Sequence, residues 1–135
     1  MACLNYSGLF LASKGEKTED LDAYEEEEQI DKDEEKLPDD QKLDKKRSYV
    51  YFKPCNEWKQ LKEWHFKLDQ GEHVDLIAQG TDWCVCLTDQ CHLRFFTQTG
   101  VQKQVLYQNS NVITMTGYEN LLAIVYHGGL PVYGQ

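Results

Sequence analysis

The chain has 135 residues, with 23 acidic against 14 basic side chains and a formal net charge of −9. Residues 14–47 hold 15 Asp/Glu and 8 Lys/Arg, leaving 8 acids and 6 bases elsewhere, so the acidity belongs to one segment of an otherwise nearly neutral, aromatic-rich sequence. No apolar run approaches the ~18 residues that span a bilayer, the balance disfavours tight phosphate-backbone binding, which needs clustered Lys/Arg, and the N-terminus lacks the basic and apolar regions of a signal peptide.

In chain order, residues 1–12 open with Ala2–Ala12, a strand pair broken by the turn signal Ser7-Gly8. Residues 13–47 follow as a low-complexity acidic insertion containing Glu25-Glu26-Glu27-Glu28, Asp33-Glu34-Glu35 and Asp39-Asp40, with Tyr24 its only aromatic. It buries too little apolar surface to offset its ordering entropy, and the reading is a disordered, solvated loop rather than a docking tail for a basic partner. Asp44-Lys45-Lys46-Arg47 is too short to argue nuclear import.

Residues 48–135 read as β throughout. Strands are expected at Tyr49–Phe52, Glu63–Leu68, Val74–Ala78, Trp83–Leu87, Leu93–Thr97, Val101–Tyr107, Val112–Thr116 and Leu121–Tyr126. Alternation puts Trp64, Phe66 and Leu68 on one face. Turns are expected at 69–72, 80–82, 88–90, 99–100, 109–111, 117–120 and 128–129. Aligning Gly80 with Gly117 pairs Leu76 with Ile113, Ala78 with Met115, Asp82 with Glu119 and Val85 with Leu122, a period that suits a propeller blade. A blade needs neighbours on both faces, so the chain is expected to be two to three antiparallel blades of a larger WD-like propeller.

No Walker A loop, GxSxG, HExxH or GxGxxG is present. The best metal candidate is Cys84 and Cys86 with Cys91 and His92 nearby, but residues two apart on a strand share a face, without the CxxC spacing of a zinc knuckle. Small buried thiols are the favoured reading, and five cysteines without a secretory signal suit a reducing compartment. His65, His73, His92 and His127 are dispersed, with no nucleophile recognisable beside them. Asp82 and Glu119 are read as turn carboxylates bonding local backbone N–H groups. The pairs Trp64/Phe66 and Phe95/Phe96 read as sheet packing, since Lys67 and Arg94 alone make no basic stripe for nucleic acid. Catalytic, cofactor and metal residues are all expected to be none.

Four stretches occur in order: Leu93-Arg94-Phe95-Phe96-Thr97, Gly100-Val101-Gln102-Lys103, Val112-Ile113-Thr114-Met115-Thr116-Gly117 and Ile124-Val125-Tyr126-His127-Gly128. Trp58 to Trp64 and Glu72-His73-Val74 precede them. This arrangement resembles the acidic nucleoplasmic DNA-binding protein family, the WD-repeat and HMG-box DNA-binding proteins related to chromosome transmission fidelity factor four, over residues 48 to 130. The resemblance implies a central six-bladed propeller and a nuclear, non-enzymatic replisome adaptor. It implies a hub that links the replicative helicase to DNA polymerase α–primase, forms a homotrimer, supports sister-chromatid cohesion and associates with chromatin indirectly, without a membrane or cofactor. Family partners dock largely on a helical extension outside this chain, so no partner-binding residue is carried over. The alternative is a WD-like interaction scaffold unrelated to replication.

Overall fold

A computed structural model describes residues 1–15, 47–55 and 60–129, and among them every regular element is a strand. Ten strands follow in order: β1 (Ala2–Leu4), β2 (Gly8–Ser13), β3 (Tyr49–Pro54), β4 (Trp64–Lys67), β5 (Val74–Gln79), β6 (Trp83–Thr88), β7 (His92–Thr97), β8 (Gln102–Tyr107), β9 (Val112–Tyr118) and β10 (Leu121–Tyr126). They form three antiparallel meanders: β1-β2-β3-β4, β5-β6-β7-β8 and the pair β9-β10. The first strands of successive sheets lie side by side, β1 against β5 and β5 against β9. This is the arrangement of WD-like propeller blades: two four-stranded blades and two strands of a third.

The first blade is interrupted within a ladder. Strands β2 and β3 pair from Gly8↔Pro54 to Ser13↔Tyr49, so the chain leaves the sheet at Ser13 and re-enters directly opposite. Residues 16–46, the bulk of the acidic insertion, lie outside the described residues. Their anchorage is visible: Gly15 N–H donates to Ser48 Oγ at 2.9 Å, and Lys14 Nζ lies 3.8 Å from Asp75 Oδ1.

Two cores fill the seams between blades. Phe10, Ala12, Val50, Phe52 and Leu68 of the first blade meet Val74, Cys84, Cys86 and Phe96 of the second, with Trp64, Phe66 and Ile77 closing the edge. The alternation argument for Trp64, Phe66 and Leu68 thus holds. The second seam joins Ala78, Val85, Leu87 and Leu93 to Met115, flanked by Leu76, Trp83, Phe95, Val112, Leu122 and Ile124. The second blade is buried on both faces, and adjacent residues of one strand serve different seams: Phe96 faces the first, Phe95 the second.

The repeat exists, but the glycine alignment is one residue short. Gly80 N–H bonds the Trp83 carbonyl, so Thr81-Asp82 is one hairpin tip, whereas Tyr118 pairs with Leu121 and makes Glu119-Asn120 the other. Ile77 is therefore equivalent to Met115, and Cys84 to Leu122; each of these faces the preceding blade. A one-residue slip reverses every face, so pairing Ala78 with Met115 joined opposite sides. Gly117 also sits inside β9 rather than in a turn.

Candidate interaction surface

At one mouth of the blades the hairpin tips bond to one another in series. The Asn5 side chain caps its own turn by accepting from Ser7 N–H (2.8 Å) and Gly8 N–H (3.1 Å). Across the seam, Asn5 Nδ2 donates to the Gly80 carbonyl (3.0 Å) and Ser7 Oγ to the Thr81 carbonyl (3.0 Å), which also accepts from Gln98 Nε2. Thr81 N–H continues the series to the Glu119 carbonyl of the third sheet at 3.0 Å. What Glu119 contributes to this junction is its main-chain carbonyl, with its backbone at φ 48°.

Each seam is also bolted by a tryptophan. Trp64 Nε1 reaches from the first blade to the Gln98 carbonyl of the second (2.8 Å), its ring packing over the 97–101 turn at Gly100, where φ is 87°. Trp83 Nε1 reaches from the second blade to the Glu119 carbonyl of the third (2.9 Å). Gly80 and Gly117 are small for this second bolt. A Cβ at Gly117 would lie 2.7 Å from Trp83 Cη2 and inside contact distance of the Gln79 carbonyl, and a Cβ at Gly80 would strike both the indole and the Glu119 carbonyl. The two glycines are one junction seen from either side, and close approach explains both.

A buried ionic cluster holds the opposite end of the second blade. Glu72, 1% exposed, accepts a bidentate pair from Arg94: Nε to Oε1 at 3.1 Å and Nη2 to Oε2 at 2.5 Å. Arg94 also donates to Asp69 Oδ2 (2.9 Å) and Gln102 Oε1 (3.1 Å), and His92 Nδ1 lies 3.2 Å from Glu72 Oε1. Burial pushes the Glu72 carboxyl upward, but the bonds from Arg94, Thr88 and His92 and the guanidinium charge outweigh it, leaving the pKa below its usual value. The cluster ties the turn entering β5 to β7 and β8, a positioning role for the blade. Sequence reading placed Glu72 in a turn and Arg94 in a motif; the available signal was a charge amid Leu93, Phe95 and Phe96.

The candidate metal residues do not come together as a site. Cys84 and Cys86 are buried in the first seam, and burial foremost raises each thiol to about 12, far from the thiolate that zinc requires. Cys91 stands apart in the β6–β7 turn at φ 61°. Among the described residues no three His, Cys, Asp or Glu gather to hold a metal ion. Of the histidines, His65 and His127 are exposed. Buried His73 lies with Nδ1 3.4 Å from Ser48 Oγ, a neighbour the sequence did not reveal. Ser48 is fully buried, and its oxygen accepts from Gly15 N–H and Val74 N–H (3.3 Å), so it plugs the insertion's root.

The surface itself is most apolar along the outer and last strands. Val105, Leu106 and Tyr107 of β8 are exposed, as are Tyr118, Leu121, Val125 and Tyr126 of β9 and β10. Beside Trp83, Phe95 and Leu122 an opening of ≈ 250 Å³ lies between the second blade and β10. Among the described residues the outer edge of β10 pairs with no further strand, and these apolar side chains lie uncovered beside it.

Over residues 1–135 the chain matches the family described as "Minichromosome loss protein, Mcl1, middle region". It is similar to human "WD repeat and HMG-box DNA-binding protein 1", 38% identical over 78 residues, which cover 58% of this chain and 7% of the human protein. The Xenopus laevis protein of the same name is 32% identical over 78 residues, again 58% and 7%. "Protein ENHANCER OF LHP1 1" of Arabidopsis thaliana is 33% identical over 86 residues, 64% of this chain and 9% of that protein. The matched stretch thus spans under a tenth of each relative's length.

Proposed function

We propose, from the chain's membership of the minichromosome loss protein (Mcl1) middle-region family, that it serves a nuclear, non-enzymatic scaffold in chromosome replication. The match across all 135 residues carries this reading; the human and Xenopus relatives are named for WD repeats and DNA binding, not for a reaction. In this proposal residues 1–12 and 48–135 are blades of a six-bladed ring, and 13–47 is an acidic insertion in the first blade. Strand β10 takes the remaining strands of the third blade on its open edge, and the exposed apolar face of β9 and β10 is covered as the ring closes. The ring is the hub of a homotrimer that tethers the replicative helicase to DNA polymerase α–primase and supports cohesion, touching chromatin through its partners.

The test is affinity capture of the tagged, full-length protein from replicating nuclei. Helicase and polymerase α–primase subunits are expected to copurify in stoichiometric amounts. Recovery of the protein with neither complex overturns the replisome reading and favours a propeller scaffold of other purpose.

A further inference from the structure

The mouth opposite the hairpin tips carries a groove built by two equivalent β-bulges. In the second blade Val74 pairs with Thr88 and Leu76 with Leu87, leaving Asp75 as the extra residue. In the third sheet Val112 pairs with Tyr126 and Thr114 with Val125, leaving Ile113 as the extra residue. Counted from the hairpin tips, Asp75 and Ile113 occupy the same place in successive blades. A bulge re-aims a side chain out of the ladder, and bulges concentrate beside functional sites. Here both re-aimed residues line one depression of ≈ 400 Å³, walled by Leu76, Leu87 and Val112, with Asp89 on the rim.

The two bulge positions offer different chemistry. Ile113 is half exposed at 51%, a branched apolar contact. The Asp75 side chain is 41% exposed, and its recorded partner is an ammonium, Lys14 Nζ at 3.8 Å. That loose, exposed pair shows that a lysine from just beyond β2 reaches this carboxylate, and it is weak enough to exchange. Asp89 is fixed, its Oδ1 accepting His73 N–H at 2.9 Å while its own N–H donates to the His73 carbonyl at 2.9 Å. The acidic segment joins the fold at this same mouth, through Gly15 and Ser48, and its net negative charge favours cationic approach.

We infer that this inter-blade groove binds an extended basic segment of a partner protein, reading a Lys or Arg at Asp75 and Asp89 and an adjacent aliphatic side chain against Ile113 and Val112. Charge complementarity names the occupant: two carboxylates in a mixed polar and apolar groove, with Ile113 half exposed beside them, favour a cation next to an aliphatic anchor. The inference rests on the scaffold reading only in taking the ligand to be a protein segment.

The test is fluorescence anisotropy with the full-length protein and a labelled eight-residue peptide alternating Lys and Leu, against the same peptide with Glu for Lys. Saturable binding of the Lys peptide alone is expected, weakened about tenfold by Asp75→Lys and about tenfold by Ile113→Ser. The Asp75 side chain and Ile113 are each about half exposed, and an unchanged urea midpoint shows that each variant is folded. No saturable binding overturns the inference. So does loss in Asp75→Lys with full binding in Ile113→Ser, which assigns the attraction to diffuse charge. No replication factor is in this assay, so its failure is distinct from failure of the capture experiment.

Discussion

Replacing Arg94 with Met removes the guanidinium while keeping most of its apolar stem. Glu72 is then left 1% exposed, without its bidentate partner at 3.1 and 2.5 Å. Breaking a buried ion pair from one side costs about 3–5 kcal/mol, because an uncompensated charge stays behind. The arm to Asp69 adds little, since that carboxylate side chain is 85% exposed. The arm to Gln102 adds about 0.5–1.5 kcal/mol. We expect a loss of about 4 kcal/mol at pH 7 by urea denaturation. The double variant Glu72→Leu/Arg94→Met should return to within about 1 kcal/mol of the native chain, since it buries no charge.

The pH dependence gives a second readout. In the native protein the folded Glu72 pKa lies below its unfolded value, so its contribution is present at neutral pH and lost as pH falls through the folded pKa. Without Arg94, burial governs and the folded pKa lies above the unfolded value of about 4.3. The variant's penalty is then full at neutral pH and relieved as acid protonates Glu72. The gap between native and Arg94→Met stability should narrow on acidification. A loss under about 1 kcal/mol that does not change with pH, or a double variant no better than the single one, refutes the reasoning.

Gly117→Ala should destabilise by about 1–3 kcal/mol through overpacking against Trp83 and the Gln79 carbonyl. Gly71→Ala, with open space around it but φ 80°, should cost about 1 kcal/mol for backbone strain alone; equal losses in paired urea melts would sink the steric account of Gly117. At pH 7.5, exposed Cys55 should be alkylated promptly by iodoacetamide, while Cys84 and Cys86, raised to about 12 and buried, should react only on unfolding, as peptide mapping over time will show.

The strands were legible because their apolar residues alternate and their turns are punctuated. Trp64, Phe66 and Leu68 face the first seam as a period of two requires. The thiols of Cys84 and Cys86 share a core face for the same reason. The repeat was legible in length but not in register. Gly80 and Gly117 look like one turn signal copied twice, yet one sits at a hairpin tip and the other within a strand, both cleared for a single indole. No local pattern distinguishes a glycine needed for φ from one needed for space. Bonds such as Arg94 to Glu72, Ser48 to His73 and Ser7 to Thr81 join residues far apart in sequence, and alternation is silent about them. The bulges at Asp75 and Ile113 were likewise hidden, since an extra residue in a ladder shows only against its partner strand.

The paired ends of β2 and β3 carry a consequence for how this protein changes over evolutionary time. Because Ser13 and Tyr49 already face each other across a ladder, whatever joins them needs only to start and finish at one point. The entropic cost of a flexible connection grows with the logarithm of its length, so doubling it adds only about 0.6 kcal/mol. Between the bonded pair Gly15 and Ser48, added length is therefore nearly neutral to folding. Substitutions and insertions can accumulate there, and be kept or discarded for what they do at the mouth, without the propeller registering the change.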